Sequence, residues 1–153
     1  MGQRNGSRNG TGEETLEKLE ATQDLCVDTD ILVDFLRGRD PGSAAYNKWK
    51  DKANLLITSI SVFELLMGAH LSSRRAQRIA EAESLIEQHM VLSLDKAAAT
   101  TASQVASGLK TRGLGVEIRD LFNCSVCLTN KIPILTSNKT HYERIPDLSV
   151  ISP

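Results

Sequence analysis

The chemistry available to this chain rests on acids: Asp28, Asp30, Glu64, Glu117 and Asp120, with the amide of Asn138 beside them. Asp28 ends the short apolar run Leu25-Cys26-Val27. A carboxylate at the end of a buried strand is costly unless a cation or hydrogen-bond donors compensate it. Asp30 is expected to cap the helix signalled by Ile31, Val33 and Phe35, which leaves Asp28 without a structural task. Glu64 is expected near the start of a helix, Glu117 and Asp120 open another, and Asn138 follows an apolar strand. Any one acid near a helix N-terminus is explained by the helix dipole. Three or more on a common rim are not. Several carboxylates with one amide and no histidine form a hard oxygen-donor set, suited to Mg²⁺ or Mn²⁺ rather than zinc. Such an ion lowers the pKa of a water and clamps a phosphodiester during in-line attack, which makes phosphodiester hydrolysis the matching reaction.

The elements that must position these residues follow from periodicity. Apolar runs at 25–27, 55–58, 90–94, 133–136 and 149–151 read as strands. Helices are expected over 31–37 (stopped by Gly38 and Pro41), 42–53, 62–70 behind a Ser59 or Ser61 cap, 74–88, from the Asp95 cap to 110, and 118–130, with a short helical turn to 142. Arg112-Gly113-Leu114-Gly115 is a turn. Apolar strands alternating with helices, without hairpin signals, predict an α/β fold of three α/β/α layers around a mostly parallel sheet of four to five strands. Strand ends and helix starts share one rim of such a sheet, so Asp28, Glu64 and Asn138 should meet there. Glu117 and Asp120, three apart, should share a helix face. Residues 1–23 carry little apolar anchor and read as a flexible leader, with a short helix over 13–21 behind a Thr11/Glu14 capping box. The folded domain should occupy 24–153.

Composition removes several function classes. With 18 Lys+Arg against 19 Asp+Glu there is no global basic footprint, which argues against a passive nucleic-acid binder but not against a nuclease whose ions bring positive charge. Aromatics at 4% are too few for a base-stacking surface. The odd count of three cysteines, all in apolar surroundings, fits a reducing compartment, and no apolar run is long enough for a membrane span. A cytoplasmic protein is expected. Cys124 and Cys127 fall inside a helix without further zinc ligands and read as small apolar residues. His70, His89 and His141 lack ligand spacing and read as surface or helix-end residues; Arg74, Arg75 and Arg78 read as a solvated helix face that RNA phosphates could use.

Four segments taken together resemble the PIN domain family. Val27-Asp28-Thr29-Asp30 looks like its opening motif and Ser59-Ile60-Ser61-Val62-Phe63-Glu64-Leu65 its second. Glu117 to Asn123 resembles the third, and Leu135 to Pro146 its ending. The likeness covers about Asp24 to Pro153 and is nearest to the small VapC-type toxins. It implies a Mg²⁺- or Mn²⁺-dependent endoribonuclease, a homodimer held inactive by a cognate antitoxin, with Asp28, Glu64 and Asp120 as metal ligands and activators of the attacking water. Asn138 would be a further ligand where many members carry aspartate, its neutral amide weakening a second ion's hold. Glu117 matches an acidic position found in only some members, and Thr136 could support the site with its hydroxyl. A non-catalytic PIN-fold module for RNA binding or assembly is the alternative; a phosphatase built on Asp28-Thr29-Asp30 would leave Glu64 without a role.

Overall fold

The computed structural model describes residues 22–153, so the short helix expected over 13–21 lies outside the described residues. Among the described residues are five strands: β1 Gln23–Val27, β2 Ala53–Thr58, β3 Met90–Leu92, β4 Ile134–Leu135 and β5 Val150–Ile151. Seven helices connect them: α1 Thr29–Arg37, α2 Gly42–Lys50, α3 Ser59–His70, α4 Arg75–Glu87, α5 Lys96–Thr111, α6 Ile118–Asn130 and α7 Lys139–Tyr142. All pairings are parallel and the spatial order is β3-β2-β1-β4-β5.

Side-chain alternation along the strands explains the three layers. Leu25, Val27, Ile57 and Leu135 face one side, where Ile31, Leu32, Ala45, Tyr46, Leu65 and Leu85 of α1 to α4 cover them. Cys26, Leu56 and Ile134 face the other, against Ala102 and Leu109 of α5, Leu121, Cys124 and Cys127 of α6, and Tyr142 of α7. The two α6 cysteines are fully buried free thiols, as apolar filler should be.

The sequence expectation differs at several ends. The second helix stops at Lys50 rather than 53, because Ala53 already pairs with Gln23 as the first residue of β2. Strand β3 is shorter than expected and largely exposed at the sheet edge. Helix α3 begins at Ser59, three residues early, because β2 runs straight into it: Thr58 is both last strand residue and N-cap, its hydroxyl accepting from Ser61 N at 3.1 Å. At α1 the cap is Asp28, in extended backbone conformation and accepting from Thr29 N, whereas Asp30 lies inside the first turn. The helix stops at Gly38, which takes the left-handed conformation (φ 60°) and returns its N–H to Asp34 and Phe35 carbonyls.

Candidate active site

The chain leaves β1 toward β2 and β3 on one side, then returns to place β4 and β5 on the other. The crevice beyond the ends of β1 and β4 is therefore the topological switch point, where ligands bind in open α/β sheets. Strand register determines what lines it. Cys26 pairs with Leu56 and Ile134, and Val27 with Leu135. Continued to the strand ends, this register sets Thr58 and Thr136 on either side of Asp28, and Asp28 N donates to Leu135 O at 2.9 Å.

Asp28 is only 7% exposed. Its Oδ1 accepts from Thr29 N at 2.9 Å and Asn123 Nδ2 at 3.3 Å, and its Oδ2 from Thr136 Oγ1 at 2.8 Å. All three donors are neutral. Among the described residues no Lys, Arg or His forms an ion pair with Asp28. Burial above all, then the charge of Asp30, pushes its carboxyl up to about 7, against the opposing hydrogen bonds from Thr136 and Thr29, while Asp120 adds to the rise. Asp30 is raised too, chiefly by burial; its carboxylate accepts from Ile31 N at 2.7 Å and, across the crevice, from Ser137 N at 3.1 Å.

Neutral hydroxyls carry this support to the next acid. Asn123, itself buried, accepts from Thr58 Oγ1 through its amide oxygen while its Nδ2 holds Asp28. Thr58 in turn accepts from Ser61 N, and the Ser61 hydroxyl lies 2.9 Å from Thr29 Oγ1. Thr29 donates to Glu64 Oε1 at 2.9 Å. Because α3 begins at Ser59 rather than at the expected 62, Glu64 sits in its second turn, and burial raises its carboxyl against the Thr29 hydrogen bond and the Arg119 charge. Its Oε2 faces Arg119 Nη1 at 3.3 Å.

The outer wall is the first turn of α6. Glu117 is the α6 N-cap, accepting from Arg119 N at 3.0 Å and from Arg119 Nε at 3.1 Å. Asp120 points toward α7: Tyr142 OH donates to its Oδ1 at 3.3 Å and His141 Nδ1 lies 3.2 Å from its Oδ2. Asn138 Nδ2 is 3.0 Å from the same His141 nitrogen, and Asn138 N donates to Thr136 Oγ1 at 3.0 Å. Glu117, Asp120, His141 and Arg144 line a cavity of about 350 Å³ beside the crevice. His141 is therefore part of the rim rather than an isolated surface residue.

All six acidic and amide positions singled out in the sequence thus border one rim. Asp28, Asp30, Thr136 and Asn138 form its floor, and Glu64, Glu117 and Asp120 its walls. The site residues not assigned a part in the chemistry from sequence are Thr29, Thr58, Arg119 and Asn123, together with Ser61, read as a helix cap, and His141, read as a surface or helix-end residue. The sequence signal for Arg119 and Asn123 is their i, i+4 spacing around Asp120.

The donor set fits a hard divalent ion: it is oxygen throughout, and at its centre lies a buried carboxylate with anionic neighbours and, among the described residues, no cationic partner. As the side chains stand, no three His, Cys, Asp or Glu among the described residues are grouped tightly enough to hold one ion. Glu64 is turned to Thr29 and Arg119, and Asp120 to His141 and Tyr142.

An α/β fold with an acid-lined switch point defines the class, and the comparisons with known proteins narrow it. The sequence model of the PIN domain matches residues 25–148. The chain belongs to the PIN domain family. It is 26% identical over 122 residues to the tRNA(fMet)-specific endonuclease VapC of Shigella flexneri, covering 80% of this chain and 92% of that one. Its fold is shared with VapBC2 from Rickettsia felis, solved bound to a promoter DNA fragment, at a TM-score of 0.78 and 18% identity over 86% of this chain and 99% of the other. VapBC-5 of Mycobacterium tuberculosis, from a family of toxin–antitoxin systems, matches at a TM-score of 0.65 and 20% identity over 85% of this chain and 98% of that one.

Proposed function

We propose that this chain is a Mg²⁺- or Mn²⁺-dependent endoribonuclease and the toxin of a toxin–antitoxin pair. The observation that carries the reading is Asp28, a buried carboxylate at the switch point that has no counter-ion among the described residues. The similarity to a VapC endonuclease over most of both chains, and the shared fold with a member of a toxin–antitoxin family, support it.

Asp28, Glu64 and Asp120 would hold the ion, with Asn138 beside them and Glu117 at the outer edge. Bound there, a divalent ion supplies an activated water and neutralises charge building up on the phosphodiester. Thr136 and Asn123 each donate to one oxygen of Asp28 and so hold its carboxylate in one orientation. Thr29 does the same for Glu64, and Tyr142 for Asp120. Burial of this floor limits water around the reacting phosphate and strengthens every charge interaction with it. A cognate antitoxin, a homodimer and a cytoplasmic location accompany this reading; among the described residues no helix is long and apolar enough to cross a membrane.

The test is cleavage of RNA by the purified protein with Mn²⁺, wild type against Asp28→Asn. Loss of cleavage by about a hundredfold or more is expected, the scale of removing one preorganised electrostatic group. Equal cleavage by the two proteins rejects the reading and leaves an RNA-holding or assembly module in its place.

A further inference from the structure

Arg119 stands between two acids of the wall and touches both. Its Nη1 is 3.3 Å from Glu64 Oε2 on α3, and its Nε is 3.1 Å from Glu117 Oε1 at the start of α6. The bridge therefore spans two elements whose acids are 53 residues apart in sequence (117 − 64). Asp120 lies within the range of its charge as well. A guanidinium is ionised at any working pH and its planar fork is pre-organised for two carboxylates at once, so this is a fixed positive charge. Among the described residues the floor has no equivalent: Asp28 and Asp30 are met there only by hydroxyl, amide and backbone donors.

Charge is thus distributed unevenly around the rim. Asp28 and Asp120 are near enough for their charges to act on each other, and among the described residues the only cationic partner of either is His141 beside Asp120, charged only when protonated. Glu64 and Glu117 flank a position that Arg119 already fills. On the far side, Asn138 contributes a neutral amide and is turned toward His141, which removes the charge a second divalent ion would draw on there.

We propose that Arg119 is a resident cation of this site, held on Glu64 and Glu117 where a second divalent ion would bind, so that each chain loads one ion, at Asp28 and Asp120. The inference rests on the divalent-cation reading above and adds to it the number of ions and the residue that sets it. Glu64 would then be a shared carboxylate, its Oε2 kept on Arg119 while its Oε1, now accepting from Thr29, would be the oxygen left to turn to the ion.

Calorimetric titration of the full chain with Mn²⁺ alone tests this without reference to cleavage. Wild type should take up about one ion per chain. Arg119→Gln should either take up a second ion or bind its single ion about tenfold more tightly, because a like charge beside the ion has gone. Arg119→Ala, in which no amide can replace the guanidinium, should show the same gain. Thermal unfolding of each variant checks that the half-exposed substitution leaves the fold intact. Two ions bound by wild type, or variants that bind no additional ion and bind no more tightly, would overturn the proposal and leave the nuclease reading standing. No uptake by any of the proteins overturns both.

Discussion

At the floor of the rim, Asp28 is buried and held by Thr29, Asn123 and Thr136, three donors without charge. At the wall, Glu117 is exposed and Glu64 only partly buried, and the two share the charged fork of Arg119. The same carboxylate chemistry is thus stabilised by opposite means. Neutral donors fix direction but leave the charge uncompensated, so burial and the neighbouring Asp30 raise the Asp28 carboxyl to about 7. A cation compensates charge but yields it readily in solvent, where exposed ion pairs contribute little to stability. Retaining a destabilised charge in a rigid frame is what a site needs when its missing partner is a ligand.

The contrast is broken most strongly through pH. Asp28 carries a folded-state pKa raised from 3.8 to about 7, so between those values the native chain binds more protons than the unfolded one. Stability without metal should therefore fall as pH rises through that window, by on the order of 3 kcal/mol for this group. Chemical unfolding of wild type and Asp28→Asn from pH 4 to 8 measures the difference. Asp28→Asn should show a shallower decline and be the more stable protein at the alkaline end; parallel curves would mean that the floor carries no uncompensated charge.

A smaller effect is expected from the neutral scaffold. Asn123→Ala removes the partner of both Thr58 and Asp28 in a buried position, which should cost about 2 kcal/mol of unfolding free energy. Because Asn123 steadies Asp28, cleavage should also fall, by less than in Asp28→Asn. Denaturant unfolding and the RNA assay, run side by side, separate the two effects. The smallest effect belongs to the wall: Glu117→Gln breaks an exposed ion pair and should change stability by less than about 0.5 kcal/mol. A loss as large as that of Asn123→Ala would erase the distinction between floor and wall.

The sequence made the floor more legible than the wall, for physical reasons. Leu25-Cys26-Val27 followed by an acid is a local signal, since strand end and ligand lie in one stretch. The parallel sheet was readable from alternating strands and helices, and the register did the rest by placing Thr136 beside Asp28. Arg119 was not singled out because its meaning depends on Glu64, 55 residues earlier in the chain and on another helix. His141 lacked any ligand spacing because its partner Asp120 lies across a strand and two turns. Thr58 hid the start of α3, since a β-branched residue in an apolar run reads as strand and here is also the helix cap. The cap of α1 was assigned to Asp30 rather than Asp28 because both are good N-cap residues, and only backbone conformation separates them.

The central claim is that Asp28 is kept ionisable for a divalent ion. Thermal unfolding above pH 7, with and without Mn²⁺, measures it most directly, for wild type and Asp28→Asn together. At an ion concentration about a hundred times the dissociation constant, the wild-type Tm should rise by about 5 °C or more. That rise should be absent in Asp28→Asn. An equal rise in both proteins, or none in wild type, would contradict the account.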